Sequence, residues 1–283
     1  MIKGLPRIFT LKGYPTIRNV LVLGCGGTGT FVIGHLARFL STKHIADLTI
    51  ADGDVVEEKN LIRQNFISRD IGKNKAEVLA ERYAAAFGLS VSAITNNIEK
   101  ASDFPKFSGE SILIIGCVDN NASRKLIHKT FFTKPQSQAV FWIDSGNEEC
   151  NGQVICGYAP PMLTYYGPAI NIHRDSDKTE GIFSLPVVTE VYPEILADKS
   201  KFNSELSCAE RAISAPQNMM TNATAATAVM NYAQNVLLRM PLASHGVEFS
   251  IRNTFTTRLN VKENLSVVNQ DRKIERENYG SNR

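Results

Sequence analysis

The chain has 283 residues, 43% of them hydrophobic and 21% charged, with a net charge of +3. That length suits one large α/β domain or a domain with an appendage, and the composition is that of an ordinary globular protein. So small a charge argues against nucleic acid or an anionic membrane as the main partner, and no apolar run approaches the roughly 18 residues needed to cross a bilayer.

The first 18 residues, "MIKGLPRIFTLKGYPTIR", are broken by Gly and Pro and hold no signal-peptide core, so the expected location is cytoplasmic. Residues 19–24 ("NVLVLG") read as a strand buried on both faces, as in a parallel sheet. A glycine-rich turn and a helix through "TGTFVIGHLARFL" follow. "DLTIAD" (47–52) is a second strand, and residues 74–88 form a helix with Gly88 just past its end. Strands are expected at 91–98 and 111–119, with a helix over 121–132 capped by Asn120 or Asn121. Residues 139–146 and 152–159 are further strands. The succession βαβαβ then βαβ predicts a doubly wound, mostly parallel Rossmann-like sheet.

Residues 160–205 lack clear periodicity and read as an excursion over the sheet's carboxyl edge. A small-residue-rich helix is expected within 215–240, then a last strand pair near "GVEFSIRNTFTTRLNV". Residues 1–262 are taken as one domain and 263–283 as a charged, flexible tail.

Gly24, Gly26, Gly27 and Gly29, in "GCGGTG", satisfy G-x-G-x-x-G between a strand and a helix. There the backbone can approach a nucleotide and the helix N-terminus favours its phosphates. Asp52, closing the second strand, stands where a carboxylate accepts ribose hydroxyls. The motif alone does not separate a dinucleotide from ATP. Arg63, Gln64 and Lys75 favour ATP, because cleavage between its α and β phosphates builds negative charge on the leaving pyrophosphate. Asp119, at the end of the fourth strand, is placed to hold magnesium.

"GCGGTG", "ADGDVVEEKNLIRQNF", "DIGKNKA" and "CVDNNASR" resemble the consecutive motifs of the ThiF/MoeB and ubiquitin-activating (E1-like) superfamily. The likeness is good from 19 to about 160 and weaker to about 240; "LSCAERAISAPQNMMTN" is most similar to ThiF-family members of bacterial PRTRC-type and related conjugation operons. That resemblance implies adenylation of the C-terminal glycine of a ubiquitin-like protein with ATP and Mg2+, on a homodimer, with a conjugating enzyme as a candidate later partner. It implies that Asn60 contacts the phosphate region, Arg63 and Gln64 belong to the phosphate-neutralising N-x-x-R-Q, Lys75 reaches the phosphates, and Asp119 is the magnesium-linked acid beside Asn120. Asp54 matches the second acid of D-x-D, its role open. Arg124 either orients Asp119 or is a surface helix charge.

The resemblance has limits. No R-Y-x-R-Q pattern precedes residue 19, leaving Arg7 and Arg18 as the candidates for an arginine supplied in trans, and the zinc-binding CxxC pairs of many members are absent. Cys208, before the last long helix, stands where many members carry a cysteine that could take the acyl group as a thioester; the competing reading is structural packing. Cys25, Cys117 and Cys156 read as structural, and Glu148 and Glu149 disfavour Cys150 as a nucleophile. Two alternatives stay open: a nucleotide-binding scaffold of a conjugation complex, and an NAD(P)-dependent oxidoreductase.

Overall fold

A computed structural model describes residues 8–10, 16–43, 45–109, 111–134, 136–161, 170–173, 180–182, 184–202, 218–240, 242, 244–252 and 255–259. The central strands are continuous apolar runs with few polar side chains. β2 (Asn19–Leu23), β3 (Asp47–Ala51), β4 (Val91–Ile94), β5 (Ser111–Gly116) and β6 (Ala139–Asn147) lie parallel in the order β4-β3-β2-β5-β6. Beyond β6 the sheet turns antiparallel through β7 (Asn151–Ala159), β10 (Gly246–Ser250) and β11 (Phe255–Leu259), for eight strands in all. This is the Rossmann-like α/β architecture that the sequence predicts.

Alternation along β2 sends Val20 and Val22 to one core layer and Leu21 and Leu23 to the other. The first layer is covered by α1 (Gly27–Lys43), α2 (Lys75–Phe87) and α6 (Met219–Leu237), through side chains such as Leu36, Leu79 and Val229. The second is covered by α3 (Asn121–Phe131), α4 (Val188–Val191) and α5 (Glu194–Ala197), through Ile127, Val188 and Ile195. Buried Ala225, Ala226 and Ala233 keep the face of α6 flat where it packs along α1.

Local chemistry explains the helix ends. Asn74 caps α2 by accepting from Glu77 N at 3.0 Å, and Gly88 ends it in the left-handed conformation (φ 62°). Asn120, of the two candidates, caps α3.

The chain leaves β2, builds β3 and β4 on one side, then returns to place β5 on the other. The strand order therefore reverses between β2 and β5, and the loops at their carboxyl ends face one crevice. Three short strands form outside this sheet: β1 (Ile8–Thr10), β8 (Ile170–His173) and β9 (Glu180–Ile182) pair antiparallel in the order β1-β8-β9. The excursion thus carries regular elements that its sequence did not announce, each only three or four residues long. Cys208, Arg7 and the tail 263–283 lie outside the described residues. Among the described residues, no helix is long and apolar enough to cross a membrane.

Candidate nucleotide site

The turn from β2 into α1 is drawn tight by its glycines. Gly24 has φ 93°, and a Cβ there would press on Cys117 O; a Cβ on Gly29 would collide with Gly24 O, and one on Gly27 with the Asn222 amide. Gly26 differs, because a Cβ there would meet nothing within 4 Å. Three of the four glycines are thus required by internal packing, while the bareness of Gly26 leaves open space beside the first turn of α1.

Asp52 ties this turn to the end of β3. Its Oδ2 accepts from Cys25 N at 2.6 Å and its Oδ1 from Asp54 N at 2.8 Å. Burial pushes the Asp52 carboxyl above its usual range, with Lys75 pulling the other way. Lys75, buried at the start of α2, donates its Nζ to Asp54 Oδ2 at 2.9 Å. Burial pulls the pKa of that ammonium down, but Asp52 and Asp54 outweigh it and hold the pKa above the ordinary lysine value. Asp54, whose role the sequence left open, is therefore the partner of Lys75. Asn74 Nδ2 donates to the carbonyls of Asp52, Asp54 and Thr95 at 2.9, 3.2 and 3.3 Å, which fixes the D-x-D segment to the start of α2. The sequence reading passed over Asn74 as a site residue.

Asn60, Arg63 and Gln64 share one 3-10 turn (Glu58–Ile62) and its exit. Buried Asn60 accepts at Oδ1 from Glu57 N (2.8 Å) and at its carbonyl from Arg63 N (3.2 Å) and Gln64 N (2.9 Å), so it shapes the segment that presents both. Asn65 Nδ2 reaches Thr30 O in α1 at 3.4 Å, placing the turn beside the glycine turn. Arg82 on α2 latches the far side, donating to Asn65 O at 2.6 Å and pairing with buried Asp70.

Across the crevice, Cys117 N donates to Leu23 O at 2.8 Å and the loop after β5 runs along Gly24. Asp119 there is exposed, with one contact from Asn120 Nδ2 at 3.4 Å. An exposed carboxylate lightly held by one amide fits a magnesium ion, which takes one or two carboxylates and fills its shell with phosphate and water. Among the described residues no group of three or more His, Cys, Asp or Glu is arranged for a metal. Arg124 is no surface charge: it is buried, donating Nε to Asp144 Oδ1 at 2.8 Å and Nη2 to Val118 O at 2.8 Å and Ser145 O at 3.0 Å. It fixes the backbone next to Asp119.

The thiols of Cys25, Cys117 and Cys156 are pushed up by burial, Cys156 to about 12, which keeps them protonated and supports a structural part for each.

A profile of the ThiF family matches residues 7–269. The chain belongs to the ThiF family. Curated ThiF-like relatives include the adenylyltransferase and sulfurtransferase UBA4 of Yarrowia lipolytica, 33% identical over 125 residues, 43% of this chain and 30% of that protein. The tRNA threonylcarbamoyladenosine dehydratase of Haemophilus influenzae is 37% identical over 82 residues, 28% of this chain and 30% of that one. The chain therefore spans less than a third of either relative's length. Among solved structures, Escherichia coli MccB crystallised with ATP superposes with a TM-score of 0.53 at 21% identity, over 86% of this chain and 64% of its own. That likeness concerns the fold.

Proposed function

We propose that this ThiF-family chain is an ATP-dependent adenylyltransferase acting on the C-terminal carboxylate of a ubiquitin-like protein that ends in glycine. The observation that carries the reading is Lys75: a buried, charged ammonium bonded to Asp54 and held charged by Asp52, whose carboxylate also ties down Cys25 of the glycine turn. A cation kept charged out of water, next to a helix N-terminus, suits a polyphosphate better than a neutral ligand. The names of relatives add support, since UBA4 is an adenylyltransferase and MccB has been crystallised with ATP and with MccA.

In this reading a carboxylate oxygen of the substrate forms a bond to the α-phosphorus. The bond from that phosphorus to the bridging oxygen breaks, and pyrophosphate leaves with the electron pair. Lys75 and Arg63, with Gln64 and Asn60 shaping the same turn, stabilise the charge that gathers on the leaving group. Asp52 accepts from the ribose. Asp119 would hold Mg2+, whose charge offsets that of the phosphates, with Asn120 beside it at the nucleotide. Acyl transfer to Cys208 follows as a second step: the thiolate attacks the acyl carbon and AMP leaves. The same reading makes the chain a cytoplasmic homodimer, with residues 1–262 as the adenylation unit and a conjugating enzyme as the next acceptor.

The test is ATP–pyrophosphate exchange with a small protein ending in Gly as co-substrate. Exchange that needs that protein, and that Asp119→Ala abolishes, supports the reading. Exchange that is equally fast without any protein substrate would sink the substrate assignment, and unchanged exchange in Asp119→Ala would sink the magnesium role. ATP binding without exchange would favour the scaffold alternative. A Cys208-dependent, reducible adduct with the substrate checks the second step.

A further inference from the structure

Helix α1 starts without a side-chain cap, since Gly26 precedes it. The N–H groups of its first turn, at Gly27, Thr28 and Gly29, have no intrahelical acceptor, as at every helix start. Two amides from distant parts of the chain converge on this turn. Asn222, in the first turn of α6, is fully buried, and its Oδ1 accepts from Asn147 Nδ2 at 2.8 Å. Thr28 Oγ1 lies 3.1 Å from Asn147 Oδ1 and 3.4 Å from Asn222 Oδ1, so one hydroxyl hydrogen serves both. Next to it, Thr221 Oγ1 donates to Glu149 O at 2.6 Å, which holds the β6–β7 turn to the same helix.

The cluster also holds an amide nitrogen without an acceptor. Asn222 Nδ2 has no hydrogen-bond partner among the described residues, and it points at the Cα of Gly27, where a side chain would strike it. Asn147 is half-buried and, among the described residues, its amide nitrogen donates to Asn222 Oδ1, one bond for two hydrogens. Donors therefore gather at a helix end already rich in donors. Polar groups out of water are nearly always paired, so the remaining Asn147 hydrogen, beside unpaired helix N–H groups, calls for an acceptor, and an oxyanion supplies one.

We infer that Asn147 and Asn222 belong to the nucleotide site: Asn147 donates to a phosphate oxygen at the first turn of α1, and Asn222 is the positioning residue that fixes Asn147 and Thr28. This rests on the nucleotide reading above. Asn222 is too deeply buried to touch a ligand. Its contribution is to orient the Asn147 amide, drawing one nitrogen hydrogen to Asn222 Oδ1 while the oxygen stays on Thr28, and to add a dipole to the helix end. Neither residue lies in a recognised nucleotide motif, and each reaches the site from the part of the chain after β5.

Titration of the full chain with ATP and, separately, with adenosine (followed by NMR to millimolar concentration) tests this. Asn147→Ala and Asn222→Asp, the latter of equal volume with an acceptor in place of the donor, should each weaken ATP at least tenfold. Adenosine, which has no phosphate, should bind within twofold of wild type. ATP affinities within twofold of wild type in both variants would overturn the inference, as would equal losses for ATP and adenosine, which would mark a packing role only. Wild type that binds adenosine but not ATP would overturn the nucleotide reading and this inference together. If Asn222→Asp does not fold, the half-exposed Asn147→Ala decides alone.

Discussion

Arg124 reaches from α3 to Asp144 in β6, its Nε donating to Oδ1 at 2.8 Å with both side chains out of solvent. The same guanidinium holds Val118 O, so the loop that presents Asp119 hangs from a buried ion pair. Removing one partner strands a charge, which typically costs about 3–5 kcal/mol. Arg124→Ala and Asp144→Ala should each show that loss in urea unfolding, and Arg124→Met with Asp144→Leu should lose less than either alone. Equal stability of Arg124→Ala and wild type would show that the pair is solvated.

Lys75→Met should lower ATP–pyrophosphate exchange by about a hundred- to a thousandfold, the scale for deleting one preorganised charge from a transition state. Lys75→Arg should recover part of the rate. Because Asp52 and Asp54 raise the Lys75 pKa, its contribution to stability is complete below the unfolded value, roughly 10.4, and fades as pH rises through the higher folded value. The rate should therefore show no loss from Lys75 across the neutral range. An alkaline limb with an apparent pKa near 8 that disappears in Lys75→Met would contradict this.

Gly26→Ala and Gly29→Ala should fail in different ways. Alanine at 29 overlaps Gly24 O and should cost about 1–3 kcal/mol, read as a lower Tm. Alanine at 26 meets nothing within 4 Å, so the fold should keep its Tm while ATP affinity drops at least tenfold. A stable Gly26→Ala protein with undiminished ATP affinity would remove the phosphate from that face.

The Arg82–Asp70 latch gives a prediction for acid. Partial burial pushes the Asp70 carboxyl up, but the Ile67 N–H and Arg82 outweigh it and hold it below the usual carboxylate range. A depressed folded value means stability present above the unfolded pKa, roughly 3.9, and lost as pH falls through the lower folded value. Asp70→Asn should thus cost about 1 kcal/mol at neutral pH, with the difference from wild type shrinking as pH falls below the usual carboxylate range. Urea midpoints at several pH values check it, and a difference that grows on acidification would reverse the sign.

Much of the sheet was legible because runs such as "NVLVL" and "SILIIG" have no polar face to hide and stop at Gly or Asp. The residues that crowd the crevice from β2, β3 and β5 were legible for a related reason, as each closes a strand at the carboxyl edge. Arg124 was ambiguous because helix periodicity cannot report Asp144, which arrives from another strand. Asn147 and Asn222 were invisible, since a lone amide at a strand end or helix start looks like any cap until its partner across the fold is known. The short β1, β8 and β9 carry too few residues for a period to register, and among the described residues they pair with one another.

The hydrogen bond from Thr28 to Asn222 joins residues 194 positions apart. On a ribosome adding about 5–20 residues per second, the glycine turn waits on the order of 10–40 s for the helix that completes it. Until then the first turn of α1 lacks its amide neighbours, and α6 cannot cover the apolar face of the sheet. A chain released early, before Asn222, would carry the glycine turn without the amide that packs against Gly27. The glycine turn is thus packed by a helix made long after it.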